Sequence, residues 1–109
     1  MAGKFELKTA ESGKFYFNLK ASNGQIILSS EMYESRKAAE SGIESVKKNA
    51  ADVKRYDRKT SNKGEHYFNL KAGNGEPIGK SETYTTGAGM ENGIESVTKN
   101  APDAPVVDA

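Results

Sequence analysis

The chain of 109 residues contains two copies of one sequence, placed 51 residues apart. Between residues 14–50 and 65–101, 21 of 37 positions are identical, and the alignment has no gap. A period of about 50 residues with only two copies indicates a tandem duplication, because a solenoid needs at least about three repeats. The fold must therefore be built from one small unit that is used twice.

Each copy has the pattern of three strands followed by a helix. In the first copy, apolar and polar residues alternate over 4–8 and over 15–21, as they do on strands with one buried face. Asn23-Gly24 predicts a type I′ turn, in which both residues take positive φ, and a third strand follows it. The same segments recur 51 residues later.

A helix follows the third strand in each copy. Ser35 is the predicted N-cap of the first helix, and Thr85 or Thr86 is the predicted N-cap of the second. Helical spacing places the apolar residues of each copy on one face: Ala39, Ile43 and Val46, then Met90, Ile94 and Val97. Gly42 and Gly93 lie beside those faces, where a close approach of helix to sheet would explain a mid-helix glycine.

The third strands differ between the copies. Ile27 is expected to point inward, so Ile26 and Leu28 would point to the opposite face. The second copy has Pro77 and Gly79 at those two places, and Pro77 predicts an edge strand because it cannot donate to a ladder. The apolar excess of the first copy suits either a seam between the repeats or a dimer edge, and we favour the seam.

One copy buries too little surface to be stable alone, so the two copies are expected to share a core. We predict one compact α+β domain, with an antiparallel sheet of up to six strands and two helices about a pseudo-twofold axis. The β-β-β-α repeats are assigned to residues 1–52 and 53–101, and residues 102–109 to a flexible tail. Pairing of the repeats within the chain predicts a monomer.

Composition limits the possible functions. The chain has no cysteine, which excludes disulfide scaffolds, zinc ribbons and thiol catalysis. Its longest apolar run is Ile26-Ile27-Leu28, so no membrane span is predicted. The first six residues lack the apolar segment of a secretory signal, and we therefore expect a cytoplasmic protein.

No residue pattern predicts catalysis, a metal site or a cofactor. His66 is the only histidine, and it occupies the place of Phe15, so we interpret it as a half-buried substitute for an aromatic residue. Carboxylate pairs with helical spacing can bind a divalent cation or act as an acid–base pair. The two such pairs here, Glu40/Glu44 and Glu91/Glu95, are interpreted as solvated helix surface.

The polar face of the predicted sheet is the one feature that indicates a ligand. Strand alternation directs two sets of residues to it: Lys4, Glu6, Lys8, Tyr16, Asn18 and Lys20, and Arg55, Asp57, Lys59, Tyr67, Asn69 and Lys71. This face carries six basic and two acidic residues, although the whole chain has a net charge of +1. Rings that stack bases beside cations that contact phosphates are typical of surfaces for single-stranded nucleic acid.

The candidate binding residues on this face are Tyr16, Asn18, Lys20, Tyr67, Asn69 and Lys71. A solvated face offers a simpler interpretation, since lysines on an exposed sheet also protect it against aggregation. The nearly neutral charge of the chain favours that interpretation, because most nucleic-acid-binding domains are strongly basic.

The segments FYFNLKASNGQIILSSEMY and GIESVKKNA, each present in two versions, resemble the YegP-like family of small bacterial proteins. The resemblance covers residues 1–101. It implies a β-β-β-α repeat and a cytoplasmic bacterial protein, and it implies no activity, because the family is a domain of unknown function. The second copy departs from the pattern at His66 and over 85–89.

The sequence thus predicts a non-enzymatic binding or interaction module whose ligand is unknown. The alternative is single-stranded nucleic-acid binding through the six candidate residues. A protein partner is the other possible ligand, and an enzyme ranks third because the chain carries no catalytic motif.

Overall fold

The computed structural model describes residues 3–108, and Met1, Ala2 and Ala109 of the predicted first repeat and tail lie outside them. The first repeat forms β1 (Lys4–Thr9), β2 (Phe15–Lys20), β3 (Ile26–Ser29) and α1 (Arg36–Asn49). The second forms β4 (Tyr56–Thr60), β5 (His66–Lys71), β6 (Pro77–Lys80) and α2 (Gly87–Asn100). The last strand is β7 (Val106–Asp108), and single turns of 3-10 helix, Val53–Arg55 and Ala101–Asp103, follow the two α-helices.

All seven strands belong to one sheet, in the order β4-β5-β6-β3-β2-β1-β7. Neighbours from β4 through to β1 are antiparallel, whereas β7 is parallel to β1. The two repeats meet at β3 and β6, where the register contains a single pair, Ser29 with Lys80. The sheet is therefore continuous across the duplication but only narrowly joined at the seam.

The predicted sheet of up to six antiparallel strands is corrected by β7, since the sheet is mixed and has seven strands. Of residues 102–109, assigned to a flexible tail, those up to 108 include the end of a 3-10 turn and the strand β7. Strand β1 leaves a row of backbone N–H and C=O groups at its outer edge. The returning chain pairs with them, and the Phe5 N–H donates to the Pro105 carbonyl at 2.8 Å. An ion pair between Arg36 of α1 and Asp108 links the end of this segment to the first helix.

The predicted type I′ turn is also wrong. Gly24 has φ of 86°, but no residue other than glycine has positive φ within residues 3–108, so Asn23 does not adopt the second left-handed conformation. The Gly24 N–H donates to Ala21 O, and the Asn23 side chain accepts from the Gln25 N–H at 3.0 Å. A tight turn followed by one left-handed glycine closes the hairpin instead.

In the third strand of the first repeat, Ile27 is buried as predicted, but Leu28 belongs to the core as well. The register pairs Leu19 with Leu28 and then Lys20 with Ile26, so Ile27 is an extra residue in a β-bulge. Leu28 therefore faces the core with Leu19 and is fully buried. The bulge shifts the alternation of inward and outward side chains by one residue. The run Ile26-Ile27-Leu28 is apolar at every position, so its sequence does not show this shift.

Pro77 does not mark an edge strand, because β6 lies inside the sheet between β5 and β3. The strand tolerates this proline because its ladder with β3 contains only the Ser29–Lys80 pair, three residues beyond Pro77. Gly79, in the same strand, leaves the space that Leu28 fills: a Cβ atom built there would lie 2.6 Å from Leu28 Cδ2.

The two helices cover one face of the sheet, and the predicted caps and buried faces are confirmed. Ser35 Oγ accepts from the Ala38 N–H, and Thr86 Oγ1 accepts from the Gly89 N–H. The predicted apolar residues of both helices are buried, namely Ala39, Ile43, Val46, Met90, Ile94 and Val97. Together with the inward residues of the strands they form one core shared by both repeats.

The helical glycines make room for tyrosine rings rather than for the backbone of the sheet. A Cβ atom at Gly42 would lie 2.4 Å from Tyr33 Oη, and one at Gly93 would lie 2.3 Å from Tyr84 Oη. The Tyr33 ring is held in place on its other side, because it stacks on the Phe17 ring with an interplanar angle of 12°.

We expect Gly42→Ala to lower the free energy of unfolding by about 1–3 kcal/mol, because overpacking outweighs the better helix propensity of alanine. Gly87→Ala is the matched control, since a Cβ at Gly87 meets nothing within 4 Å. That variant should be neutral or stabilised by up to about 1 kcal/mol. Urea unfolding measures both; a stabilised Gly42→Ala would show that the Tyr33 ring moves freely.

Candidate functional site

The face of the sheet opposite the helices carries the candidate site, and we call it the open face. The strand register places one residue from each strand in a line across its centre. From one edge to the other these residues are Val107, Glu6, Asn18, Ser29, Lys80, Asn69 and Asp57. Six of the seven are polar, and a carboxylate lies near each end of the line.

The six candidate binding residues all lie on this face, three on β2 and three on β5. They form two separate groups, because β3 and β6 lie between those strands. Strands β2 and β5 run in opposite directions, so Tyr16 and Tyr67 lie near opposite ends of the face. Strand spacing and rise place the two residues about 20 Å apart. The two tyrosines therefore cannot stack on adjacent bases.

Glu6 lies at the centre of the first group of charges. Its carboxylate is 3.1 Å from the ammonium of Lys20, 3.7 Å from that of Lys4 and 3.8 Å from that of Lys8. Only 11% of the side chain is exposed. The Lys20 ammonium is the largest cause that lowers the pKa of Glu6, and the charges of Lys4 and Lys8 add to it. Glu6 thus stays ionised and orders three lysines around itself.

Asp57 has the same role in the second repeat. Its carboxylate is 3.2 Å from the Lys71 ammonium and 3.4 Å from the Lys59 ammonium. The Lys71 ammonium is the largest cause that lowers the pKa of Asp57, and Lys59 adds to it. One carboxylate per repeat therefore leaves a surplus of positive charge on the open face.

The structure changes which cations belong to this face. Arg55 lies in a 3-10 turn instead of a strand, and its guanidinium pairs with Asp52 at 3.4 Å. Lys80 takes its place: its ammonium lies 5.0 Å from the centre of the Tyr67 ring, which is within cation–π distance. Alternation within β6 is compatible with this position, but the sequence alone does not give the register of β6 that places Lys80 beside Tyr67. The open face therefore carries six lysines and two carboxylates, the same balance of charge as predicted.

The histidine and the helical carboxylates considered as catalytic candidates lie away from the open face. His66 is half-buried, as predicted, and its backbone pairs with that of Tyr84 in both directions, at 2.8 and 2.7 Å. The helical carboxylates predicted to be solvated, Glu40, Glu44, Glu91 and Glu95, are exposed. Within residues 3–108, no three His, Asp or Glu side chains are grouped as a metal site would require.

Neither helix in the described range 3–108 has the length and hydropathy that a membrane crossing requires. The fold and the open face together define a class of protein: a two-repeat α+β domain with one helix-covered and one polar sheet face. The family model described as "Domain of unknown function (DUF1508)" matches residues 10–57 and 61–108. The chain belongs to that family.

Relatives and solved structures agree with this assignment. "UPF0339 protein in ptx operon 5'region" of Stutzerimonas stutzeri is 50% identical over 108 residues, covering 99% of this chain and 97% of the relative. "UPF0339 protein YegP" of Yersinia pestis is 49% identical over 106 residues, covering 97% and 95%. The solution NMR structure of yegP from E. coli, described as a protein of unknown function, has a TM-score of 0.94 and 47% identity. The match covers 99% of this chain and 93% of the yegP chain.

Proposed function

We propose that this protein is a non-enzymatic binding module that holds single-stranded nucleic acid on the open face of its sheet. The observation that carries the proposal is the combination of six lysines with two half-buried tyrosines on the open face, opposite the two helices of residues 3–108. Phosphates meet the lysines, and bases stack on the rings. The protein works in the cytoplasm of its bacterium, where such a ligand is abundant.

The spacing of the tyrosines sets the length of the ligand. A gap of about 20 Å is several times the spacing of about 3.4 Å between stacked bases of one strand, so the ligand must place further nucleotides between the two rings. A pseudo-twofold axis between β3 and β6 is part of this proposal, and it gives each repeat one tyrosine and its own lysines. The strand then crosses the seam obliquely, from Tyr16 to Tyr67, over Ser29 and Lys80.

Two features support binding over a merely solvated face. Glu6 and Asp57 hold lysine side chains in place before any ligand binds, which lowers the entropy that binding must overcome. Lys80 lies beside Tyr67, where a cation and a ring together suit a nucleotide. The counterpart of Lys80 in the first repeat is Ser29, so the second repeat is expected to bind more tightly.

A titration of ¹⁵N-labelled protein with short oligouridylate, at low and moderate salt, tests the proposal. We expect amide shifts on Tyr16, Lys20, Tyr67 and Lys71, together with a logarithmic salt slope of about −0.7 per phosphate contacted. Absent shifts at low salt, or shifts confined to the helices, would contradict it.

Variants separate stacking from charge. Tyr67→Leu should weaken binding by about tenfold, since base stacking on a ring contributes about 1–3 kcal/mol. Lys80→Ser converts the second repeat to the residue of the first and should reduce the salt slope. Lys48→Ser, an exposed change on α1, is the matched control and should leave the affinity at a given salt concentration unchanged.

A further inference from the structure

The two repeats treat their outer strand edges differently. In the first repeat, the outer edge of β1 is covered by β7, with Phe5 beside Val106, Glu6 beside Val107 and Leu7 beside Asp108. In the second repeat, β4 takes the place of β1, and it is the terminal strand of the sheet. Within residues 3–108, no strand pairs with the outer edge of β4. The first repeat thus shows what such an edge accepts, namely an extended segment that runs parallel to the strand.

The backbone of β4 is suited to accept such a segment. The Tyr56 N–H donates to Val53 O instead of to β5, just as the Phe5 N–H at the equivalent place donates to Pro105 O. Because alternate residues of a strand direct their N–H groups to the same side, the N–H groups of Arg58 and Thr60 also face outward. Two donors on β4 are therefore available to a further strand.

A groove runs beside this edge, between β4 and α2. It has a volume of about 290 Å³ and is lined by residues that include Val53, Arg58 and Glu91. Val53 is 60% exposed, so the groove offers an apolar side chain to a ligand. In the first repeat, Val106 of β7 lies beside Phe5 and lines a groove together with Glu40 and Glu44 of α1. The position beside Phe5, which corresponds to Tyr56 in the second repeat, is thus occupied by a small aliphatic residue.

The first repeat also indicates a second property of the segment, namely an acidic residue beside position 58. Arg58 replaces Leu7 of the first repeat and forms two contacts with Glu91, at 2.5 and 3.0 Å. In the first repeat, the residue beside Leu7 is Asp108. An acidic residue at the same place on β4 would lie beside the Arg58 guanidinium.

We propose that the outer edge of β4 binds an extended segment of a partner protein, parallel to β4, with a small aliphatic residue beside Tyr56 and a carboxylate beside Arg58. Backbone hydrogen bonds supply affinity in this mode, and alternate side chains supply specificity. A second copy of this chain suits the edge less well, because pairing two β4 strands about Arg58 places like charges directly opposite each other. This site is separate from the open face.

The peptide acetyl-Ala-Pro-Val-Val-Asp-Ala-amide, which copies residues 104–109, is the probe. Titrated into the labelled full chain, it should shift amides of β4 and of the α2 residues that line the groove, and slow hydrogen exchange at Arg58 and Thr60. A control peptide with lysine for the aspartate should bind several-fold more weakly. Absence of shifts at low-millimolar peptide, or shifts at β1 and β7, would overturn the proposal.

Two substitutions at one position separate the backbone from the charge. Arg58→Pro removes an outward N–H without breaking the β4–β5 ladder, and it should weaken binding by at least about tenfold. Arg58→Leu restores the residue of the first repeat, so it should keep binding and lose the preference for aspartate over lysine. Amide spectra confirm that each variant is folded. Equal binding by a folded Arg58→Pro would overturn the proposal, as would a mass that rises with protein concentration, which would assign the edge to a second copy.

Discussion

Replacing Phe17 with alanine should lower the free energy of unfolding by about 3–5 kcal/mol, whereas replacing its neighbour Tyr16 should cost less than about 1 kcal/mol. Phe17 is fully buried, packs edge-on against Phe5 with ring centres 5.8 Å apart, and stacks on Tyr33. Its loss would leave a cavity where three rings meet. Tyr16 lies on the open face and is only half-buried.

Urea unfolding of the two variants measures this contrast, with equal m-values as the check that the unfolded states are comparable. The second repeat supplies an internal replicate, because Phe68 is fully buried against Tyr56 with ring centres 5.5 Å apart, and Tyr67 lies on the open face. Similar losses for Tyr16→Ala and Phe17→Ala would mean that β2 is buried on both sides. The open face would then not exist, and the proposed nucleic-acid site would fail with it.

Leu28→Ala should destabilise the protein by about 2–5 kcal/mol, because Leu28 is fully buried at the seam between the repeats. Gly79→Ala alone should cost about 1–3 kcal/mol, since its Cβ would lie within 2.6 Å of the Leu28 side chain. The double variant should cost less than the sum of the two, because alanine at 79 fills space that the shortened residue 28 vacates.

A double-mutant cycle by urea unfolding gives that coupling directly. Phe5→Leu, a change in the same core but on β1, three strands from β6, is the control, and its effect should add to that of Gly79→Ala. Additive losses for Leu28→Ala and Gly79→Ala would show that the two residues do not compete for one space. The seam would then have a different packing from the one described.

The local elements were predictable because their signals are local. Alternating polarity located both strands of each hairpin, and four-residue spacing located the helix faces around Ile43 and Ile94. Ser35 and Thr86 cap the helices as predicted, since a cap requires only a side-chain oxygen next to free N–H groups. The six candidate residues do lie on one face for the same reason.

The errors occurred where backbone geometry departs from ideal alternation. A bulge at Ile27 turns the Leu28 side chain toward the core. A run of three apolar residues is compatible with either register, so it does not indicate the bulge. Arg55 was assigned to the open face by alternation, but a 3-10 turn interrupts the strand there. The Asn-Gly pair predicts a tight hairpin correctly, yet two different turns can use it: a type I′ turn, in which both residues are left-handed, and the observed turn, in which glycine alone is left-handed.

By itself, then, the sequence determined the duplicated β-β-β-α unit, its helix caps and the helix side chains that enter the core. Those properties depend on residues within a few positions of one another. The tertiary structure alone decided the order of the strands, the pairing of β7 with β1, and the separation of Tyr16 from Tyr67. Each of these joins segments far apart in the chain, through backbone hydrogen bonds that every residue except proline can form and that side chains therefore do not encode.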